Sequence, residues 1–405
     1  MVGISFSCFV FTGLIPQYVQ QWLWIGHGFY VYALVLTGLA YSLFENQKEV
    51  WVKNLPLCLV FIYVNLFSLL LIYQGFVRKV YLIDIMFPYM NFLVFIIFYR
   101  LCLNLGRAEI EKILDGLRMV VIITCVTCTL QVLGLSQFFN LLSEDYLKFY
   151  EHEYNNLVVG FIGNPTLLSG YLAMCIPLFL YRRTREDWLG LALLLTVLLF
   201  AGTKAGEPAL SGMIVAWVIF FFYCPKKWVY ILLTTLFVLC ITPFIPHFMF
   251  SDSGRVKWIM EALPYMKAQF VTGYGLGAVG NLYKQGKIST QNLHVEYLQY
   301  IFELGLIGLI LILNCIKSFL EIYTNDSLMK CLKAVVIGFI VNCFFNYHSH
   351  LWMSNLLAMF CYASFFAIEN ENIQGEHNVR KHTVGNKKFC FGHHSADQCP
   401  DRYAR

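Results

Sequence analysis

About a dozen stretches of apolar residues, each close to the length of a membrane crossing, follow one another along this chain. They fall near 3–19, 28–44, 55–74, 80–99, 119–135, 157–181, 188–202, 207–223, 228–247, 294–316, 333–347 and 351–368. A helix needs roughly 17–25 mostly apolar residues to cross a bilayer. Composition points the same way: 59% of the 405 residues are hydrophobic and only 13% are charged, with a mean hydropathy of +0.62. A soluble domain carries roughly 25% charged residues, so too few polar groups remain here to cover a globule of this size. Backbone groups in hydrocarbon must be paired within their own segment, which favours helices over open strands. The expected fold is an all-α integral membrane protein with about 12 transmembrane helices and one large external loop.

Orientation is read from the basic connections, because Lys and Arg collect on the cytoplasmic side. Lys48 and Lys53, then Arg100, Arg107, Lys112 and Arg118, then Arg182, Arg183 and Arg185, then Lys226 and Lys227, then Lys317, Lys330 and Lys333 all fall on one side; Arg78 and Lys79 are the exception. With twelve spans both termini are expected in the cytoplasm. The first apolar stretch lacks a basic leader and a small-residue cleavage site, so it reads as a retained span. Most of the 14 cysteines lie inside apolar runs, where they act as small hydrophobes. The C-x-x-C of Cys125 and Cys128 sits mid-span with no strand pattern and reads the same way. Three parts are expected: transmembrane helices over 1–150, a transmembrane region over 157–368 with its external loop at 248–293, and a polar cytoplasmic tail over 369–405.

Three segments fall outside the cytoplasm in this topology: 136–156, a short hinge at Gly202–Gly206, and the stretch from about Phe248 to Leu293. Loops held by a rigid scaffold are where chemistry is commonly placed. His294 stands where the long loop meets a helix, ahead of Glu296, Tyr297, Gln299, Tyr300 and Glu303. An imidazole there suits a general base, against the plainer reading of an interfacial residue solvating a helix start. Lys204, in the hinge, is either a cation on a substrate path or a snorkelling side chain. Arg255 precedes Val256 to Met266, a candidate amphipathic helix on the membrane surface. With Lys257, Lys267, Lys284 and Lys287 it makes the external loop basic, which suits either an anionic ligand or lipid headgroups. Gly273, Gly275 and Gly277 follow no strand, so they read as a tight turn and not as a dinucleotide fingerprint. Asn164-Pro165 reads as a helix start. No phosphate-binding G-x-x-x-x-G-K-[ST] and no D-x-D pair is present. The His- and Cys-containing tail fits no standard zinc spacing.

His294 followed by Gly305-x-x-Gly308, with Glu303 just before the glycine pair, resembles the signature of the O-antigen ligase and O-antigen polymerase family. Three further segments match it in order: Gly160 to Ser169, containing Asn164-Pro165-Thr166; Gly202 to Gly206, where the family has Ser-Arg-Gly; and Ser253-Gly-Arg255-x-x-Trp258 with Gly273-Tyr-Gly275-Leu-Gly277. The resemblance covers about 157–316. It departs at Val295, where the family has a polar residue, and at Lys204, which replaces an arginine and cannot make two parallel bonds to phosphate.

What the resemblance implies is a metal-independent glycosyltransferase of the C-type membrane fold, in the bacterial inner membrane with its site on the periplasmic face. The donor would be a glycan on undecaprenyl diphosphate, and the acceptor a hydroxyl of lipid A-core, another glycan or a protein. His294 would be the base, and Arg255 and Lys204 would bind the diphosphate. Glu303, Gly305, Gly308, Trp258 and Asn164 would support them. Neither cofactor nor metal nor nucleic-acid partner is expected. Polymerase and protein O-glycosylation remain open beside the ligase reading. A lipid-linked sugar flippase is the rival from another class, although the clearest mid-span acid is Asp84 and no repeated halves are visible. A scaffold without activity is the third reading.

Overall fold

The computed structural model describes residues 102, 105–133, 158, 160, 165–205, 212, 214–219, 253–275, 277–290, 293, 295–344, 354–355 and 357–372. Among these residues the secondary structure is entirely helical. In chain order the helices are α1 (Arg107–Val132), α2 (Pro165–Leu180), α3 (Arg185–Ala205), α4 (Ser253–Ala268), α5 (Ala278–Lys284), α6 (Glu296–Glu321) and α7 (Ser327–Asn342). Residues 214–219 and 357–372 are helical as well. The expected spans near 3–19, 28–44, 55–74, 80–99 and 228–247 lie outside the described residues. Two helices, α1 and α6, are each 26 residues long and apolar enough to cross a membrane.

α2 is the centre of the main bundle. It is apolar on every side, the pattern of a helix packed all round, and every side chain from Leu167 to Leu180 is buried. α1, α3 and α7 pack against it. Gly190 of α3 lets the two backbones approach, since a Cβ there would stand 2.5 Å from the Phe179 ring. Asn342 at the end of α7 donates its side-chain amide to Gly170 O at 2.9 Å, a buried polar tie between α7 and α2. Residues 357–368 and Phe319 of α6 join the same core. Cys125, Cys128, Cys175, Cys331 and Cys361 are buried free thiols within it, the role expected of cysteines in apolar runs.

Polar contacts separate the bundle into two ends. At one end Arg107 of α1 grips Asp326, the N-cap of α7, at 2.6 and 3.3 Å. Arg182, just past α2, bonds to Asp115 of α1 at 2.8 Å, and Asn372 reaches Met329 of α7 at 3.8 Å. At the other end Gly160 N donates to Gln131 at 2.9 Å, and Glu296 N donates to Cys343 O at 3.0 Å. The helices that follow one another directly in the described chain, α2–α3 and α6–α7, therefore run in opposite directions.

The first end is stitched by charge. Arg107, Glu111, Asp115 and Arg118 stand on one face of α1, at helical spacing. They extend through Arg182 to the α2–α3 connection, through Asp187 to α3 and through Asp326 to α7. Arg118 and Asp187 are both buried, 2.6 Å apart. Asp187 also closes a capping box at the start of α3: it accepts from Thr184 N at 3.0 Å, and its own amide donates to Thr184 Oγ1 at 3.2 Å. Burial raises its pKa, but the Thr184 and Arg118 bonds outweigh that, and the carboxyl is held below the usual aspartate value. Lys333 donates to Leu320 O and Ile322 O, both at 2.7 Å, and so caps the C-terminal end of α6 with a cation.

Candidate functional site at the α4–α5–α6 junction

The stretch expected as an external loop is a folded unit. α4 and α5 pack against the first half of α6 around a small core, which contains Ala262 and Met266 of α4, Val279 and Leu282 of α5, and Phe302 of α6. The Tyr274 ring stacks on Phe302 with centroids 5.5 Å apart. Glu261 of α4 accepts from both the amide and the hydroxyl of Ser289 at 2.7 Å. Those two bonds hold its carboxyl below the usual glutamate range, and they fasten the segment leading towards residue 294 onto α4.

A break in α6 receives this unit. Gly305 has φ 69° and ψ −174°, a conformation open in practice to glycine alone. The break frees two carbonyls above it and two amides below it, and the 270–275 turn takes all four. Tyr274 N donates to Phe302 O at 2.9 Å, and Gly275 N to Glu303 O at 2.7 Å. Leu306 N donates to Phe270 O at 2.8 Å, and Ile307 N to Val271 O at 3.3 Å. The backbones cross so closely that a Cβ on Gly273 would lie 2.4 Å from Glu303 O, and one on Gly305 would lie 2.3 Å from Val271 O. Gly273, Gly275 and Gly277 all have positive φ, at 73°, 100° and 77°. The tight turn read from their spacing is present, and it closes onto α6.

Glu303 lies beside the crossing and is buried. A carboxylate inside an apolar helix is costly unless its oxygens are satisfied. Here Gln299 Nε2 donates to it at 3.1 Å, and the amides of Gly277 and Val279, at the start of α5, donate as well. Gln299 Oε1 in turn accepts from Leu293 N at 3.4 Å. A buried polar thread thus runs from the residue preceding His294, through Gln299 and Glu303, to the first turn of α5.

His294 and Asn164 lie outside the described residues. Pro165 is the first residue of α2, so the expected helix start after Asn164 is present. Val295 is the N-cap of α6, extended at φ −132° and ψ 105°. Arg255 stands in the first turn of α4, and Trp258 follows in the same helix, half-buried. Glu303, Gly305 and Gly308 are buried in α6. Lys204 occupies the last turn of α3, which continues through the expected hinge to Ala205. The structure joins the 253–258, 273–277 and 296–308 segments of the resemblance into one packed unit. Sequence reasoning missed what Gln299 contributes and what Glu303 holds. The signal was there: the two polar residues share one helical face, four apart. Among the described residues no group of three or more His, Cys, Asp or Glu side chains is arranged to hold a metal ion. No family model, curated protein or solved structure matches the chain.

Proposed function

We propose that the chain is a multi-pass membrane glycosyltransferase that moves a glycan from undecaprenyl diphosphate to an acceptor hydroxyl, in the manner of an O-antigen ligase. The observation that carries this reading is the junction itself. Segments far apart in sequence, which together resemble the ligase and polymerase family, meet where the Gly273–Gly277 turn closes on the broken helix at Gly305. Such a junction would hold the start of α4, with Arg255, and the lead-in to α6, with His294, in fixed register. In the proposed reaction His294 removes the proton from the acceptor hydroxyl, whose oxygen forms a bond to the anomeric carbon. The bond from that carbon to the diphosphate oxygen breaks, and the diphosphate leaves as an anion. Arg255 and Lys204 stabilise the charge that develops on it. No step calls for a metal.

The proposed membrane is the bacterial inner membrane, with the junction facing the periplasm and both termini in the cytoplasm. The gathering of Arg107, Arg182, Lys330 and Lys333 at the end of the bundle opposite Glu296 supports that orientation. The test is transfer by the full chain in nanodiscs, given lipid-linked glycan and lipid A-core. The expected result is glycan on lipid A-core that disappears in His294→Ala. Laddered lipid-linked oligomers would make the protein a polymerase, and full activity of His294→Ala would overturn the proposed chemistry.

A further inference from the structure

We infer that the turn between α4 and α5 is set into one edge of the bilayer, with Phe270 and Val271 facing lipid acyl chains. The inference rests on α6 crossing a membrane and not on the glycosyl-transfer reading.

Below the break at Gly305, α6 runs unbroken over residues 306–321, which at about 1.5 Å per residue is about 24 Å. A hydrocarbon core is about 30 Å thick, and any tilt of the helix widens the shortfall. The lower boundary cannot be moved much further down, because Lys317 and Glu321 are charged and largely exposed, at 71% and 66% of their side-chain surface. The upper boundary therefore lies above Leu306, at or beyond the level of Phe302 and Glu303. The 270–275 turn hydrogen-bonds to α6 across that interval, from Phe302 O to Ile307 N. It sits at membrane depth.

Two independent features suit that depth. Irregular backbone within hydrocarbon is tolerated only when its polar groups are paired. The Phe270 and Val271 carbonyls and the Tyr274 and Gly275 amides all have partners in α6, and the Gly273 amide donates to Gln269 O, just past α4. The side chains also match: Phe270 is 45% exposed and Val271 56%. Their carbonyls bond at Leu306 and Ile307, so they head the exposed apolar stripe of Ile307, Ile310 and Leu313 on α6. On α4, Lys257, Met260 and Lys267 are exposed at helical spacing, with Met260 at 61%. An apolar side chain between two cations fits the boundary of an anionic leaflet, where lysine meets lipid phosphate.

The test places the photoreactive residue p-benzoylphenylalanine, one position at a time, at Phe270, Val271, Ile310 and Asn325 of the full chain. The protein is held in nanodiscs of phosphatidylethanolamine and phosphatidylglycerol, and adducts are read by mass spectrometry. All four positions are exposed, so the new side chain points away from the packed core. Phospholipid adducts at 270 and 271, in yield comparable to 310 and absent at 325, are the expected result. Adducts at 310 without any at 270 and 271 would overturn the inference and leave α6 as a span. Protein–protein adducts at 270 and 271 would assign the face to a second copy and also overturn it. No lipid adduct at 310 would remove the span, and the inference with it.

Discussion

Replacing Gly305 by alanine tests whether the crossing of α6 and the 270–275 turn is as tight as the geometry requires. The residue has φ 69° and ψ −174°, and holding a side chain there costs about 1–3 kcal/mol in backbone strain. The new Cβ would also stand 2.3 Å from Val271 O and 2.5 Å from Gly273 N. Both are backbone atoms, so no rotamer change relieves the contact and the turn must lift away. Lifting it exposes the four backbone bonds that heal the helix break, each contributing about 0.5–1.5 kcal/mol. Together these give a loss of about 3–9 kcal/mol, a large part of the about 5–15 kcal/mol that separates folded from unfolded chains. Two other glycines serve as controls. Gly286 has φ 68° but nothing within 4 Å of a Cβ, so alanine there meets strain without collision and costs about 1–2 kcal/mol. Gly280 is helical and open, so alanine there stabilises by about 1 kcal/mol. Thermal unfolding of the full chain in detergent, followed by intrinsic fluorescence, should rank the three variants as Gly280→Ala above wild type, Gly286→Ala slightly below and Gly305→Ala far below. A Gly305→Ala protein that melts with Gly286→Ala would refute the close crossing.

The ionic ladder makes a second prediction: Arg118→Ala leaves Asp187 buried without its partner and should cost about 3–5 kcal/mol in the same unfolding assay, whereas Arg118→Leu combined with Asp187→Leu should recover most of it. Acid should weaken the same end of the bundle. Asp187 and Asp326 titrate below the usual aspartate value of 3.8, because in each case hydrogen bonds from an arginine and from backbone amides outweigh burial. Their contribution is complete above that value and disappears as pH falls through the lower folded values, so Asp187→Asn with Asp326→Asn should flatten the acid limb of a stability–pH curve. At the junction, Glu303→Gln keeps one acceptor for the Gly277 and Val279 amides, while Glu303→Ala keeps none. Protease cleavage between residues 284 and 290 should accelerate strongly in the alanine variant and mildly in the glutamine one; equal rates would show that Glu303 does not hold α5.

Much of the helical content was legible because hydrophobic runs and helix signals are local. Pro165 opens α2 where Asn164-Pro165 marked a start, and α6 begins two residues past the expected boundary. Boundaries slipped where polar residues belong to helices. α1 begins at Arg107 and not near 119, because its first turns carry the charges that bind Arg182, Asp187 and Asp326. α7 begins at Ser327 because Asp326 caps it, accepting from Leu328 N and Met329 N. Helical structure also continues to residue 372, past the expected start of the tail.

By itself the sequence determined an apolar, helical chain, including two helices long and apolar enough to cross a membrane, and glycines where a turn must reverse. Each of these follows from residues within a few positions of one another. Which partner meets which glycine was decided only in three dimensions. Gly273 and Gly305 are 32 positions apart, yet neither tolerates a Cβ because of the other's neighbours. The pairing of Arg107 with Asp326 and the seating of α5 on Glu303 are of the same kind. Contacts at such separations depend on how whole helices pack, and packing is a property of assembled surfaces that no local pattern records.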